Sequence, residues 1–155
     1  MENIQLFDSH CHYNDDKFNE DRDEIIKQNI EKGITKAVVA GYSLQGSQQG
    51  IQIADKYPQN LYATVGISPN DVENIDLNEI KKMAQNPKVV AIGEIGLDYY
   101  WNQENKELQK EIFQKQIELA NELNLPIVIH TREATIDTIQ ILKTNPVIQK
   151  GIFHC

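Results

Sequence analysis

The residues of this sequence best suited to chemistry are four histidines and one glutamate. His10, His12, His130 and His154 are all the histidines of the chain, and each closes a short apolar run. Ile4–Asp8 leads into Ser9-His10-Cys11-His12, Pro126–Ile129 leads into His130, and Gly151–His154 ends on the last. Glu94 stands in a fourth run, Val89–Ile95, interrupted only by Gly93 and Glu94 itself. Such a run reads as a strand covered on both faces, where an unpartnered carboxylate costs several kcal/mol. A bound cation removes that cost. Imidazole and carboxylate without a thiolate suit zinc, manganese or magnesium-like ions, and one carboxylate can bridge two ions about 3.5–4 Å apart.

Strand alternation places Asp8, His10 and His12 on one face, Phe7, Ser9 and Cys11 on the other, and aligns Val90, Ile92 and Glu94. Taken singly, a histidine at a strand end is more often a hydrogen-bonded polar group than a ligand. Four histidines together with Glu94, all at the same end of one sheet, read as a metal site. Asp8, one layer deeper than His10, is expected to support a ligand or to serve as an interior hydrogen-bond group, and Cys11 to pack inertly. Asp98 either orients a histidine or caps the following turn. Arg132 can offer its planar fork to a phosphate oxygen or pair with a nearby carboxylate. Tyr99, Tyr100 and Trp101 form an aromatic run on which a base can stack or which packs on the rim.

The segments between these runs must bring the strand ends together. Ile25, Ile26 and Ile30 recur at helical spacing before Gly33, and Lys36–Ala40 resumes as a strand. Ser43 caps a helix running toward Tyr57, Pro58 stops it, and Leu61–Gly66 follows as a third strand. Asp76 and Glu79 open a short helix with Leu77, Ile80 and Ala84 on its buried stripe. A long helix spans about Glu104 to Leu123, with Leu108, Ile112, Leu119 and Leu123 on one side. A last helix is expected to turn Ala134, Ile139 and Leu142 inward. This alternation implies a parallel sheet with right-handed crossovers. No glycine-rich phosphate cradle follows the first strand, which favours an α/β barrel of the (β/α)8 TIM type with its first six strands over an open sheet. In such a barrel the C-terminal strand ends meet at one mouth.

The totals bound the function. A chain of 155 residues, 40% apolar and 25% charged, suits a single folded domain over 1–155. A net charge of −8 argues against a broad basic nucleic-acid face, yet bound divalent cations let an acidic protein dock a phosphodiester. Cys11 and Cys155 show no disulfide or zinc-ribbon spacing and are expected to be reduced. No run approaches the ~20 apolar residues of a membrane span, and Met1–Phe7 lacks the marks of a signal peptide. The expected compartment is the cytoplasm, without membrane contact.

Four segments, Phe7-Asp8-Ser9-His10-Cys11-His12, Gly93-Glu94-Ile95-Gly96-Leu97-Asp98-Tyr99-Tyr100, Ile129-His130-Thr131-Arg132-Glu133-Ala134 and Gly151-Ile152-Phe153-His154-Cys155, resemble in order and spacing the signatures of the TatD family of metal-dependent deoxyribonucleases. The resemblance covers the whole chain. It implies that His10 and His12 bind one divalent ion, that His130 and His154 bind a second, and that Glu94 bridges them as the catalytic carboxylate. Arg132 and Tyr99 are then the candidate substrate contacts. The implied activity is hydrolysis of DNA phosphodiester bonds at single-stranded ends, 3′ to 5′. Two departures accompany it. The family continues beyond this point and a full barrel takes ~250 residues, so strands seven and eight, with a strand-eight aspartate, are expected outside this chain. Gly66-Ile67-Ser68-Pro69-Asn70 stands where the family commonly has Gly-x-His-Pro-His, which opens the question of substrate contacts there. The alternatives are another barrel metallohydrolase acting on a small ester or amide, and a truncated metal-binding fragment without turnover.

Overall fold

The structure, a computed structural model, describes residues 5–101 and 103–154; Ile4 and Cys155 lie outside the described residues. In chain order the elements are β1 (Leu6–Cys11), α1 (Arg22–Glu31), β2 (Ile34–Val39), α2 (Leu44–Lys56), β3 (Leu61–Val65), α3 (Leu77–Met83), β4 (Val89–Asp98), α4 (Lys106–Leu123), β5 (Ile127–Arg132), α5 (Thr135–Thr144) and β6 (Gly151–His154). Short 3₁₀ turns at Asp16–Phe18 and Val72–Asn74 follow β1 and β3. Every neighbouring pair of strands is parallel, and the order in the sheet is the order in the chain.

Local chemistry sets the helix limits. The Ser43 hydroxyl accepts from the Gly46 N–H to start α2, and Asp76 accepts from the Asn78 and Glu79 N–H groups to start α3, satisfying donors that a helix N-terminus leaves free. Left-handed residues end two others: Gly33 (φ 105°) after α1 and Asn124 (φ 54°) after α4. The helices pack over one face of the sheet. Val39, Val65, Ile92, Ile95, Ile127 and Ile129 from the strands meet Ile26, Phe113 and Ile117 from the helices, all essentially buried.

The sheet curls into a nearly closed barrel. Laid flat, six strands at about 4.8 Å spacing would hold β1 and β6 roughly 24 Å apart. Instead the rings of His10 on β1 and His154 on β6 stack with centroids 3.7 Å apart. Inside the curl, Phe7, Ser9, Val38, Val90 and Val128 contribute to the lining of a cavity of about 360 Å³. The strand ends therefore share one mouth, the (β/α) barrel arrangement expected from the alternation.

Two expectations about side-chain direction are corrected. Between Asp8 and Cys11, β1 advances three residues while β2 advances two, from Ala37 to Val39. Asp8 thus pairs with the helix-facing Ala37, and Cys11 packs against the same core, so neither Asp8 with the histidines nor Phe7 and Ser9 with Cys11 share a face throughout. Likewise β4 takes three steps from Ile92 to Ile95 where β5 takes two, from Ile127 to Ile129. Ile92 belongs to the helix-facing core, and only above the slip does Glu94 turn toward the mouth. One-residue irregularities of this kind re-aim side chains beside functional sites.

On α5, Ile139 is 44% exposed, whereas Thr138 and Ile141 are buried. At about 100° per residue, Ile139 sits roughly 140° from Ala134, while Thr138 and Ile141 fall within about 40° of it. Thr138 tolerates burial because its hydroxyl donates to the Ala134 carbonyl and meets the Thr131 hydroxyl. Among the described residues no helix is long and apolar enough to cross a membrane.

Candidate metal centre

β1 delivers two imidazoles from one strand end. The His10 backbone N–H is held by the Asp8 carboxylate at 3.1 Å, and the Cys11 thiol donates to the Val38 carbonyl at 3.3 Å. With Cys11 turned into the core, His10 and His12 converge, their Nε2 atoms 3.0 Å apart. β5 and β6 deliver the other two. His130 and His154 are paired in register, and His130 Nδ1 lies 3.4 Å from His154 Nε2. Gly96 permits this approach of β4 to β5, because a Cβ there would lie 2.0 Å from the His130 carbonyl oxygen and its φ of 140° disfavours side chains.

Glu94 joins the two pairs. Its Oε2 is 3.4 Å from His10 Nε2 and 3.5 Å from His12 Nε2. Its Oε1 is 3.0 Å from both His130 Nδ1 and His154 Nε2. His10, His12 and Glu94 form one group able to hold an ion, and Glu94, His130 and His154 a second. Donors bound to one ion at about 2.0–2.2 Å in a tetrahedron stand roughly 3.3–3.6 Å apart, close to the separations here. The chemistry of the set fits as well: neutral imidazoles and one carboxylate, with no thiolate, suit a divalent cation. Two imidazole nitrogens 3.0 Å apart require a shared proton or a shared cation between them, and the Nδ1 atoms of His10 and His12 are buried without a hydrogen-bond partner.

The electrostatics follow from burial in competition with contacts. Burial opposes ionisation of Glu94, but hydrogen bonds from His10, His130 and His154 outweigh it and hold the carboxyl far below its usual range. For His12 burial prevails, aided by the neighbouring His10 and His154, and its pKa falls. For His130 burial is overcome by hydrogen bonds to Glu94 and Asp98, and its pKa rises.

Asp98, at the end of β4, serves both roles considered for it. Its Oδ2 lies 2.9 Å from His130 Nε2, while its Oδ1 accepts from the Tyr100 and Trp101 N–H groups at 2.9 and 3.1 Å. Burial is again outweighed, by His130 and these backbone donors, and the carboxyl is held low. When the ring is neutral, an ionised Asp98 favours Nε2 as its protonated nitrogen, so Nδ1, which otherwise donates to Glu94, is the nitrogen free to take an ion. One residue escaped the reading of the sequence. Gln109, fully buried on α4, accepts from the Asp98 N–H and donates to the Asp98 carbonyl at 2.9 and 3.0 Å. Its signal was a polar residue on the buried face of a long amphipathic helix.

A family model described as TatD related DNase matches residues 7–155. The chain belongs to the TatD family. It is 40% identical over 154 residues to the uncharacterized metal-dependent hydrolase YabD of Bacillus subtilis (strain 168), covering 97% of this chain and 60% of that protein. It is 33% identical over 154 residues to the 3'-5' ssDNA/RNA exonuclease TatD of Erwinia tasmaniensis, again covering 97% and 60%. The crystal structure of YjjV, a TatD homologue from Escherichia coli K12, superposes with a TM-score of 0.88 at 27% identity over 96% of this chain and 59% of that one. The chain thus spans about three-fifths of the length of these relatives.

Within this TatD chain the remaining candidates fall unevenly. Arg132 is exposed beyond His130, its guanidinium carbon 3.8 Å from the Tyr100 ring centroid and 5.4 Å from that of Trp101. No carboxylate among the described residues pairs with it. Tyr99 is not at the mouth. It is 8% exposed, its hydroxyl donates to Asp137 at 2.7 Å, and Lys106 lies over its ring, so its reading as a substrate contact gives way to loop packing. Ser68 and Asn70 help line a separate cavity with Tyr42 and Asp71, and Tyr42 in turn meets the His12 ring edge-on.

Proposed function

We propose that this chain carries the metal-binding part of a phosphodiesterase that removes nucleotides from single-stranded DNA ends, in which His10, His12 and Glu94 would hold one divalent ion and Glu94, His130 and His154 a second. The division of the Glu94 carboxylate between two histidine pairs carries the reading, because a shared carboxylate suits two ions flanking one phosphoryl group. The name of the Erwinia relative, a 3'-5' ssDNA/RNA exonuclease, supports the substrate. Divalent ions in such a site supply Lewis acidity, which activates water and stabilises the charge developing on phosphoryl oxygens.

The chain's own residues do the positioning. Glu94 fixes the two ligand groups relative to each other. Asp98 holds His130 in the tautomer whose Nδ1 faces the centre, and Gln109 holds Asp98. Arg132, two residues beyond His130 on β5, offers its fork to a non-bridging phosphate oxygen. The free thiol of Cys11 accords with action in the cytoplasm.

The test pairs metal content per chain with cleavage of end-labelled single-stranded DNA, with and without EDTA. Two zinc, manganese or magnesium ions per chain and EDTA-sensitive shortening from the 3′ end are expected. Hydrolysis of small esters or amides without DNA shortening would replace this reading with that of another barrel metallohydrolase. Two bound ions without any turnover would leave a metal-binding fragment.

A further inference from the structure

Beside the metal centre stands an aromatic group that the phosphodiester chemistry does not use. Trp101 is 67% exposed and Tyr100 47% exposed, although aromatic rings of this size ordinarily dominate buried packing. They are nonetheless ordered against each other. The two rings meet edge to face at 4.7 Å and 88°, and Arg132 covers one face of Tyr100 at 3.8 Å. The backbone beneath them is tied to the metal centre, since the Asp98 carboxylate that accepts from the Tyr100 and Trp101 N–H groups also holds His130. Tyr100 and Arg132 therefore brace Trp101, and the Trp101 ring is left facing solvent.

We infer that Trp101, braced by Tyr100 and Arg132, is a stacking site for the unpaired base of the nucleotide whose phosphate lies at the Glu94 centre. The inference rests on the phosphodiesterase reading above and gives it a residue that holds the base. Arg132 follows His130 by two residues on β5 and pairs with Asp98 across the ladder, so the backbone that carries Arg132 stands roughly 7 Å of strand rise beyond that of His130. That is on the scale of the span from a nucleotide's phosphate to its own base. A base inside a duplex offers no free face to a flat ring, whereas an unpaired base does. In a chain of net charge −8, a polyanion finds attraction only at local cations, and Arg132 is exposed at this rim without a carboxylate partner among the described residues.

Trp101 is the only tryptophan of the chain, so its emission reports the site directly. The zinc-loaded protein is titrated with a short oligothymidylate and with an abasic oligomer of equal length and charge, following Trp101 emission and the anisotropy of an end label. Quenching by the base-bearing oligomer alone is expected, with binding about 5- to 150-fold tighter than for the abasic one. Trp101→Leu should bring this preference to about one while leaving abasic affinity and metal content unchanged, and Trp101→Phe should retain most of it. Equal affinity of the wild-type protein for both oligomers, or a preference that survives Trp101→Leu, overturns the stacking site and leaves the phosphodiesterase reading intact. Failure of both oligomers to bind the loaded protein overturns that reading, and the platform with it.

Discussion

The two imidazole pairs around Glu94 are built to different standards. On the β5–β6 side, His130 is held from behind by Asp98, Asp98 is clamped by Gln109, and both histidines stand 3.0 Å from Glu94 Oε1. On the β1 side, His10 and His12 lie 3.4 and 3.5 Å from Oε2, their Nδ1 atoms are buried without partners, and the His12 side chain is 34% exposed. A ligating histidine that donates its second N–H to a carboxylate is both better oriented and more basic. Hydrogen bonds of the protein therefore prepare one pair, whereas in the other a bound ion would have to supply the order. The β5–β6 half should fill first and empty last.

Removing the shared group has the largest expected effect. Glu94→Ala takes a donor from both halves and should weaken metal binding by at least about a hundredfold at each, more than loss of a supporting residue costs, with DNA cleavage falling into background. Glu94→Gln keeps the shape without the charge and should fall nearly as far. Calorimetric titration with zinc checks both; a variant that kept one tight ion would show that the halves do not share Glu94. Chelation is the milder form of this experiment. An ion present at about 100 times its dissociation constant stabilises by roughly 2.7 kcal/mol, so EDTA should lower Tm by roughly 5–10 °C.

Asp98→Asn separates the halves. It should cost about 10- to 100-fold in affinity at the β5–β6 position and little at the β1 position, turning an ordered two-step titration into overlapping steps. A uniform loss at both would mean that the support of His130 is not what distinguishes them.

Much of this centre was legible because strand ends of a parallel barrel converge, so four histidines and a glutamate that are far apart in sequence had one place to meet. β6 was bounded at Gly151–His154 from its apolar run, as observed. Faces were harder. Strict alternation through Asp8–Cys11 and Ile92–Glu94 failed because each strand spends an extra residue within the segment that carries its candidate ligand; in β1 no residue type announces that slip, whereas in β4 Gly93 was its one signal. On α5, Ala134 and Leu142 do meet the core, but Ile139 does not, because Thr138, satisfied by Ala134 and Thr131, takes the buried position beside Ile141. Which nitrogen of His130 faces the centre depends on Asp98 across a strand pair, which spacing along the chain does not encode.

Titration gives the halves opposite signs in the metal-free protein. The folded pKa of His130 lies above the ordinary 6.5, so its contribution to stability is complete below 6.5 and is lost as pH rises through the raised value. The folded pKa of His12 lies below 6.5, so it costs stability in acid, and that cost disappears as pH rises past 6.5. In EDTA, His130→Asn should remove a fall in Tm on the alkaline side, and His12→Asn should remove a fall on the acid side. Added metal reverses the first trend, because protons compete with the ion for His130 Nδ1. A profile unchanged by either substitution would dissolve the contrast in electrostatics while leaving that in geometry.

The smallest effect is expected at Cys11, and it bears on the less supported half. A thiol between two candidate ligand imidazoles would ordinarily be suspected as a third zinc ligand. Here the register slip turns Cys11 into the helix-facing core, its thiol donates to Val38, and burial together with the nearby Asp8 charge pushes its pKa up to about 12. A thiol so disinclined to ionise is a poor ligand and a poor nucleophile. Cys11→Ala should thus leave metal stoichiometry and affinity unchanged and lower stability by only about 1 kcal/mol through lost packing, a Tm change of roughly 2–4 °C. If instead the substitution loosened the β1 ion alone, the thiolate would be supplying what Asp98 supplies on the other side. The two halves would then differ in the kind of support they receive rather than in its amount.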